Sequence, residues 1–251
     1  MNQSDDSFDE MTLDPPGRIA IIGGGPLGLE AALYGRFLGY EVVLFEKGEI
    51  GQSMLANASQ PLPMLPDRCL SPLAINALKA QDGGLVFPGT PTFPTTVGQW
   101  IANGLVRVAS TDLLTDRVTC HCAVTAIGLV AEDANSLSMP NNDDESDSGE
   151  TYIDGEVPLD FQLTLREGTG TRFVEAEAVI FAIGAESIGA RSIGSVLGYQ
   201  DIIDSPYRFR IGDCATGSAE EILHRGWREI VSIYARLGGR KTLDLYRPFR
   251  L

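Results

Sequence analysis

The sequence predicts an α/β fold built on a parallel sheet, and three features carry that reading. Residues 18–47 set an apolar strand, a glycine-rich turn, a helix and a second strand in immediate succession. Two further strand patterns lie far along the chain, the apolar run AVIFAI at 178–183 and the alternation of Tyr207, Phe209 and Ile211. Between them, at 119–130 and 159–177, apolar and polar residues alternate, the mark of antiparallel strands with one buried face. The crossover between parallel strands therefore contains a small β-meander. A chain of 251 residues buries a sizeable core, and 17–240 reads as a single domain.

The first unit explains itself residue by residue. Ile19 to Ile22 form a buried strand, and Gly23, Gly25 and Gly28 follow in G-x-G-x-x-G spacing with Pro26 and Leu27 opening the helix. Gly23 permits the tight turn, Gly25 lets the backbone approach a pyrophosphate, and Gly28 lets helix and strand pack closely. The helix runs to about Leu38, where Gly39 stops it. Its N-terminus offers unpaired N–H groups and partial positive charge to phosphates. The second strand, 41–45, leads into Glu46 and Lys47, where a carboxylate can accept the ribose hydroxyls of an adenosine. Strand, turn, helix, strand and acid arrive in the order an adenine dinucleotide requires.

Residues 51–116 read as a largely irregular insertion with two helices. Ser71-Pro72 starts the first, with Ser71 as N-cap. The second, over 96–109, places Val97, Ile101, Leu105 and Val108 on one face. From Arg117 a strand is expected to run unbroken through Cys120, His121 and Cys122 to Val130, with an acidic loop at 132–156 before the meander resumes. The last helix starts at Ser218, with Glu221 completing a capping box. It is expected to bury Ile222, Leu223, Trp227, Ile230, Val231, Tyr234 and Leu237. Residues 241–251 read as a tail.

The formal charge of −15 is concentrated. Residues 1–16 hold five acids and 134–165 eight, with no base in either stretch, so the remaining 21 acids face 19 bases. The body is nearly neutral, 1–16 reads as a disordered acidic leader, and a nucleic-acid surface is excluded. Four cysteines in no even framework point to a reducing compartment, and no run of ~18 apolar residues marks a membrane span. The N-terminus is acidic where a signal peptide needs bases, so the expected location is cytoplasmic. Cys120 and Cys122 stand i, i+2 on a strand, too far apart for a disulfide, and read as small core residues, as do Cys69 and Cys214. His224, two turns into the last helix, reads as a surface residue, and Arg191 and Arg208 as salt-bridge partners that an anionic substrate would otherwise meet. The residues name no catalytic group.

GGGPLG leading to Glu46, AVIFAIG after a β-meander, and FRIGDCATG before a helix stand in one order. In this the chain resembles the FAD domain of the two-dinucleotide-binding flavoproteins, the superfamily of pyridine nucleotide-disulfide reductases and flavin-containing monooxygenases. The similarity covers 18–47 and 117–237, while 66–117 is only loosely similar to the substrate-side segments of that superfamily. The resemblance implies a Rossmann-like FAD-binding domain in which Gly212 and Asp213 contact the ribityl and pyrophosphate region. It also implies that Gly217, Ser218 and Ala219 set a helix N-terminus at the flavin's pyrimidine edge, where a dipole stabilises the anionic reduced ring. Val124 matches the position whose backbone meets the adenine, and Ala182 and Gly184 the strand end that closes over the cofactor. One departure is plain: only 27 residues, 185–211, separate the AIG and GD motifs. That is too short for the nicotinamide domain the superfamily places there, since a βαβ unit needs ~30. The resemblance implies an FAD-dependent oxidoreductase acting on a small molecule or a redox partner protein. A flavin-binding module without catalysis is the second reading, and an NAD-binding dehydrogenase the third.

Overall fold

A computed structural model describes residues 12–64, 68–82, 95–130, 160–184, 206–212 and 216–247. The acidic stretch 132–156, the segment 185–205 with Arg191, and Asp213 with Cys214 lie outside the described residues. Five parallel strands form the main sheet. β1 (Arg18–Ile22) lies between β2 (Glu41–Phe45) and β7 (Ala178–Phe181), with β3 (Val118–Thr119) beyond β2 and β8 (Arg208–Arg210) beyond β7. The central register sets Ile19 to Ile22 against Val42 to Phe45 on one side and Ala178 to Phe181 on the other. β1 and β7 are apolar because both faces of these strands are covered.

The antiparallel sheet is β4 (Cys122–Leu129), β5 (Phe161–Glu167) and β6 (Gly170–Ala176). Phe161, Leu163 and Leu165 are fully buried on one face of β5, as their alternation requires. α1 (Pro26–Phe37) follows the glycine turn, and α2 (Pro72–Asp82) is capped by Ser71, whose hydroxyl accepts from the Ala74 N–H at 3.0 Å. α3 (Val97–Trp100), a π-helical turn (Ile101–Leu105) and α4 (Val106–Ala109) follow one another directly. α5 (Ala219–Leu237) closes the core.

Four expectations change. The strand expected from 117 to 130 is two strands in two sheets: the chain breaks at His121, whose φ of 55° lies in the left-handed region. His121 N–H then bonds the Gly48 carbonyl and Cys122 N–H the Glu46 carbonyl, which carries the chain off the parallel sheet into the meander. The helix expected over 96–109 contains the π turn, so Trp100 is buried while Val97 is only half-buried. In α5, Ile222, Leu223, Trp227 and Val231 are only half-buried, while Gly226 and Ile233 are buried beside Ile230, Tyr234 and Leu237. The segment after Arg240, read as a tail, packs on α1 through Leu245 and Tyr246. The Leu245 N–H donates to the Tyr34 hydroxyl at 3.0 Å, and the Tyr246 ring meets Tyr34 edge-on at 5.3 Å.

Candidate functional site

A parallel sheet gathers its loops at the C-terminal ends of its strands, and there a cavity of about 780 Å³ opens. Its first end is lined by Gly23, Gly25, Pro26 and Leu27 from the first turn, Glu46 and Lys47 after β2, Val124 from β4, Ala182 and Gly184 after β7, Gly212 after β8, and Ala219 at the start of α5. Six separated stretches of sequence thus meet at one hollow. Gly28, Gly217 and Ser218 do not line it, and Asp213 lies outside the described residues. Gly28 serves the packing instead, because a Cβ there would fall on the Gly23 carbonyl oxygen. Ser218 is the N-cap of α5: its hydroxyl accepts from the Glu221 N–H at 3.2 Å, and the Glu221 carboxylate accepts from the Ser218 N–H at 2.7 Å. That contact holds the Glu221 carboxyl below its usual range.

The glycine turn is braced before any ligand arrives. Gly23 sits at φ 115°, where an L-residue is strained, and its N–H bonds the Phe45 carbonyl. Glu46, only 8% exposed, uses both carboxylate oxygens on backbone: one accepts from Gly24 N–H at 2.6 Å, the other from Gly48 N–H at 2.9 Å. A carboxylate has about four lone-pair positions, so the same group keeps acceptors for a ligand while it fixes the turn. Gly25 is the N-cap of α1 and makes no side-chain capping bond, and the first turn holds no acid. A Cβ on Gly25 would meet nothing within 4 Å. The helix therefore presents its N-terminal N–H groups and dipole beside open space, the arrangement an anionic phosphate suits.

The second end falls within 51–116, the stretch expected from the resemblance to be a substrate-side insertion, although the sequence singles out none of its lining residues for a ligand. It is lined by Gln52, Ser53, Met54 and Asn57 of a 3-10 turn (Gln52–Asn57), by Leu62, Pro63 and Met64, and by Cys69, Val97 and Trp100. The 55–64 chain is stapled to the start of α3: Leu62 N–H bonds the Thr95 carbonyl at 2.6 Å, Val97 N–H that of Gln60 at 2.9 Å, and Gly98 N–H that of Ala58 at 2.8 Å. Thr96 and Gln99 complete a capping box there, a T-x-x-Q spacing that the sequence reading passed over. The Trp100 indole N–H is buried with no hydrogen-bond partner among the described residues.

Neither Cys120 nor Cys122 is held as a thiolate. Cys122 is buried on the cavity wall, and burial together with the nearby Glu167 pushes its thiol up to about 11, so it is protonated at neutral pH. Burial and the Glu49 and Glu46 carboxylates raise Cys120 as well. Among the described residues no group of three His, Cys, Asp or Glu can hold a metal, and no helix is long and apolar enough to cross a membrane. His224 is exposed and leans on the Trp227 ring at 4.9 Å.

Behind the glycine turn, on α1, lies an acid the sequence did not flag. Glu30 is 4% exposed, accepts from the Tyr246 hydroxyl at 2.8 Å and from the Ser71 hydroxyl, and its carboxyl is pushed up by burial to about 7.

No family model matches the sequence, and no curated relative does. Solved structures similar to it include the bacillithiol disulfide reductase of Bacillus cereus, 18% identical with a TM-score of 0.43, over 67% of this chain and 40% of that one. The ornithine N-hydroxylase of Kutzneria sp. 744 is 16% identical with a TM-score of 0.43, over 68% of this chain and 38% of that one. The S-allyl-L-cysteine S-oxygenase of Allium sativum is 16% identical with a TM-score of 0.39, over 67% and 36%. The matched region spans about two fifths of the length of each of these enzymes.

Proposed function

We propose that the chain binds FAD along this cavity and works as an FAD-dependent oxidoreductase, on a small molecule or with a redox partner protein. The observation that carries the reading is the convergence of Gly25, Glu46, Val124, Ala182 and Gly212 on one hollow. Gly25 and Glu46 are contacts the glycine unit itself calls for, Val124, Ala182 and Gly212 are contacts the resemblance implies, and together they span the chain from residue 25 to residue 212. The fit is supported by the open space over Gly25 and by the uncapped start of α1, which would hold the pyrophosphate. Glu46 would offer its remaining lone pairs to the ribose hydroxyls, and the backbone at Val124 would meet the adenine. A bound flavin supplies hydride and electron transfer, while the protein supplies binding, orientation and electrostatics. Ala219 brings the start of α5 to the same cavity, but the Ser218–Glu221 capping box and the first-turn acids Glu220 and Glu221 already occupy that helix end, so the anion-binding role falls to α1.

The protein's own spectrum tests this. Purified protein is expected to be yellow, with flavin absorbance that bleaches anaerobically under dithionite. Colourless protein that takes up no FAD would end the proposal. Bleaching by NAD(P)H would assign a nicotinamide as donor, and its failure beside successful dithionite reduction would assign the donor role to a substrate or partner protein.

A further inference from the structure

We infer that the second end of the cavity receives a neutral aromatic molecule bearing a hydroxyl or carbonyl group. The inference rests on the first end being the flavin site. Three features of this end support it. The wall is apolar and polarisable: Met54, Met64, Leu62, Val97 and Trp100 meet there. Thioethers and an indole favour an aromatic ring over an aliphatic chain, because sulfur–ring and ring–ring contacts add to simple burial. A carboxylate or ammonium seated against the same wall would lose its hydration to groups that cannot replace it.

The polar groups on this end sit together. Gln52, Ser53 and Asn57 occupy one 3-10 turn and are uncharged; Gln52 Oε1 already accepts from the Glu49 N–H at 3.1 Å, which leaves its amide N–H groups for a ligand. Neutral amides and a hydroxyl orient a hydroxyl or carbonyl by hydrogen bonds, the usual way a mostly apolar pocket fixes its ligand. The wall is also formed in advance. The Pro61–Thr96 bridge and the three backbone bonds beside it join its two halves, and the Thr96–Gln99 capping box fixes the start of α3. At Gly98 the halves touch so closely that a Cβ would stand 3.1 Å from the Ala58 Cβ. A ligand therefore meets a shape that needs no ordering, which favours binding.

Three probes on one scaffold test the inference by calorimetry on purified protein whose flavin content has been measured: p-cresol (neutral), 4-hydroxybenzoate (anionic) and tyramine (cationic). We expect p-cresol to bind at least about tenfold more tightly than either charged probe. Met64→Glu should reduce p-cresol affinity by a similar factor while flavin content stays at the wild-type level. If Met64→Glu fails to fold, fluorescence of Trp100 in a Trp227→Phe background replaces it, with p-cresol expected to perturb the emission and the charged probes not. Flavin-replete protein that binds a charged probe as tightly as p-cresol, or p-cresol binding that moves neither readout, overturns the inference and leaves the flavin reading intact. Protein without flavin that still prefers p-cresol in a Met64-dependent manner supports the compartment and overturns the flavin reading.

Discussion

Gly25 and Gly28 stand three residues apart in one motif and do opposite work. A side chain at Gly25 points into open space at the cavity, whereas one at Gly28 runs into the Gly23 carbonyl. Compared with wild type after both are stripped of flavin, Gly25→Val should therefore cost no more than about 1 kcal/mol, the effect of a poorer N-cap, and it should abolish flavin retention. Gly28→Ala should destabilise by about 3 kcal/mol, since backbone must move to admit the methyl. Paired urea melts and flavin contents check both, and equal destabilisation of the two variants would contradict the division. Glu30 gives a pH prediction at the same scale. The groups facing it are the Tyr246 and Ser71 hydroxyls, with Tyr34 and Asp244 contributing to the same electrostatic neighbourhood. Its folded pKa, about 7, lies above the unfolded value of 4.5. The folded state thus binds the extra proton, and the stability it contributes is full below pH 4.5 and lost as pH rises through 7. Urea melts across pH 4.5–7.5 should show that decline, and Glu30→Gln should flatten it; the same slope in both proteins would place the titration elsewhere.

At the scale of elements, what the sequence made legible was whatever depends on neighbours along the chain. The β1–α1–β2 unit has the predicted bounds within a residue or two because the strand, Pro26, Gly39 and the second strand are all local signals. β5 and the capping box of α5 were readable for the same reason. The break at His121 was not, because a left-handed histidine between two cysteines alternates in sequence like any strand residue. Nor was the π turn after Trp100, since Ile101 and Leu105 keep a four-residue spacing that an α-helix also satisfies. The second wall of the cavity escaped because it depends on pairing Pro61 with Thr96 across a long stretch of chain. That pairing suggests its own test. Thr96→Ala removes the N-cap and should cost about 1 kcal/mol. It should also loosen the wall, so we expect red-shifted, more quenchable Trp100 emission in a Trp227→Phe background. Loss of stability with emission unchanged would separate the cap from the wall.

Across the whole molecule, two parts of the chain that are distant in sequence enclose one site: the glycine turn with Glu46 at its front, and the β7, β8 and α5 region at its back. The core between them joins α1 to α5 through the Tyr34 and Tyr234 rings, stacked at 5.2 Å, and through the Tyr234 hydroxyl, which donates to the Ala31 carbonyl at 2.8 Å. A ligand touching both ends of the site should stabilise the entire fold, by about 2.7 kcal/mol at a free concentration one hundred times its dissociation constant. The thermal midpoint should therefore rise with FAD. NAD, which shares only the adenosine diphosphate half with FAD, should raise it less.

On the proposed function, one FAD occupies the cavity that Gly25 opens onto. Titrating FAD into flavin-stripped protein, followed by quenching of flavin fluorescence, tests it most directly. One equivalent per chain should bind to the wild type and none to a folded Gly25→Val variant. Equal binding by the two proteins, or no saturable binding by either, would contradict the account.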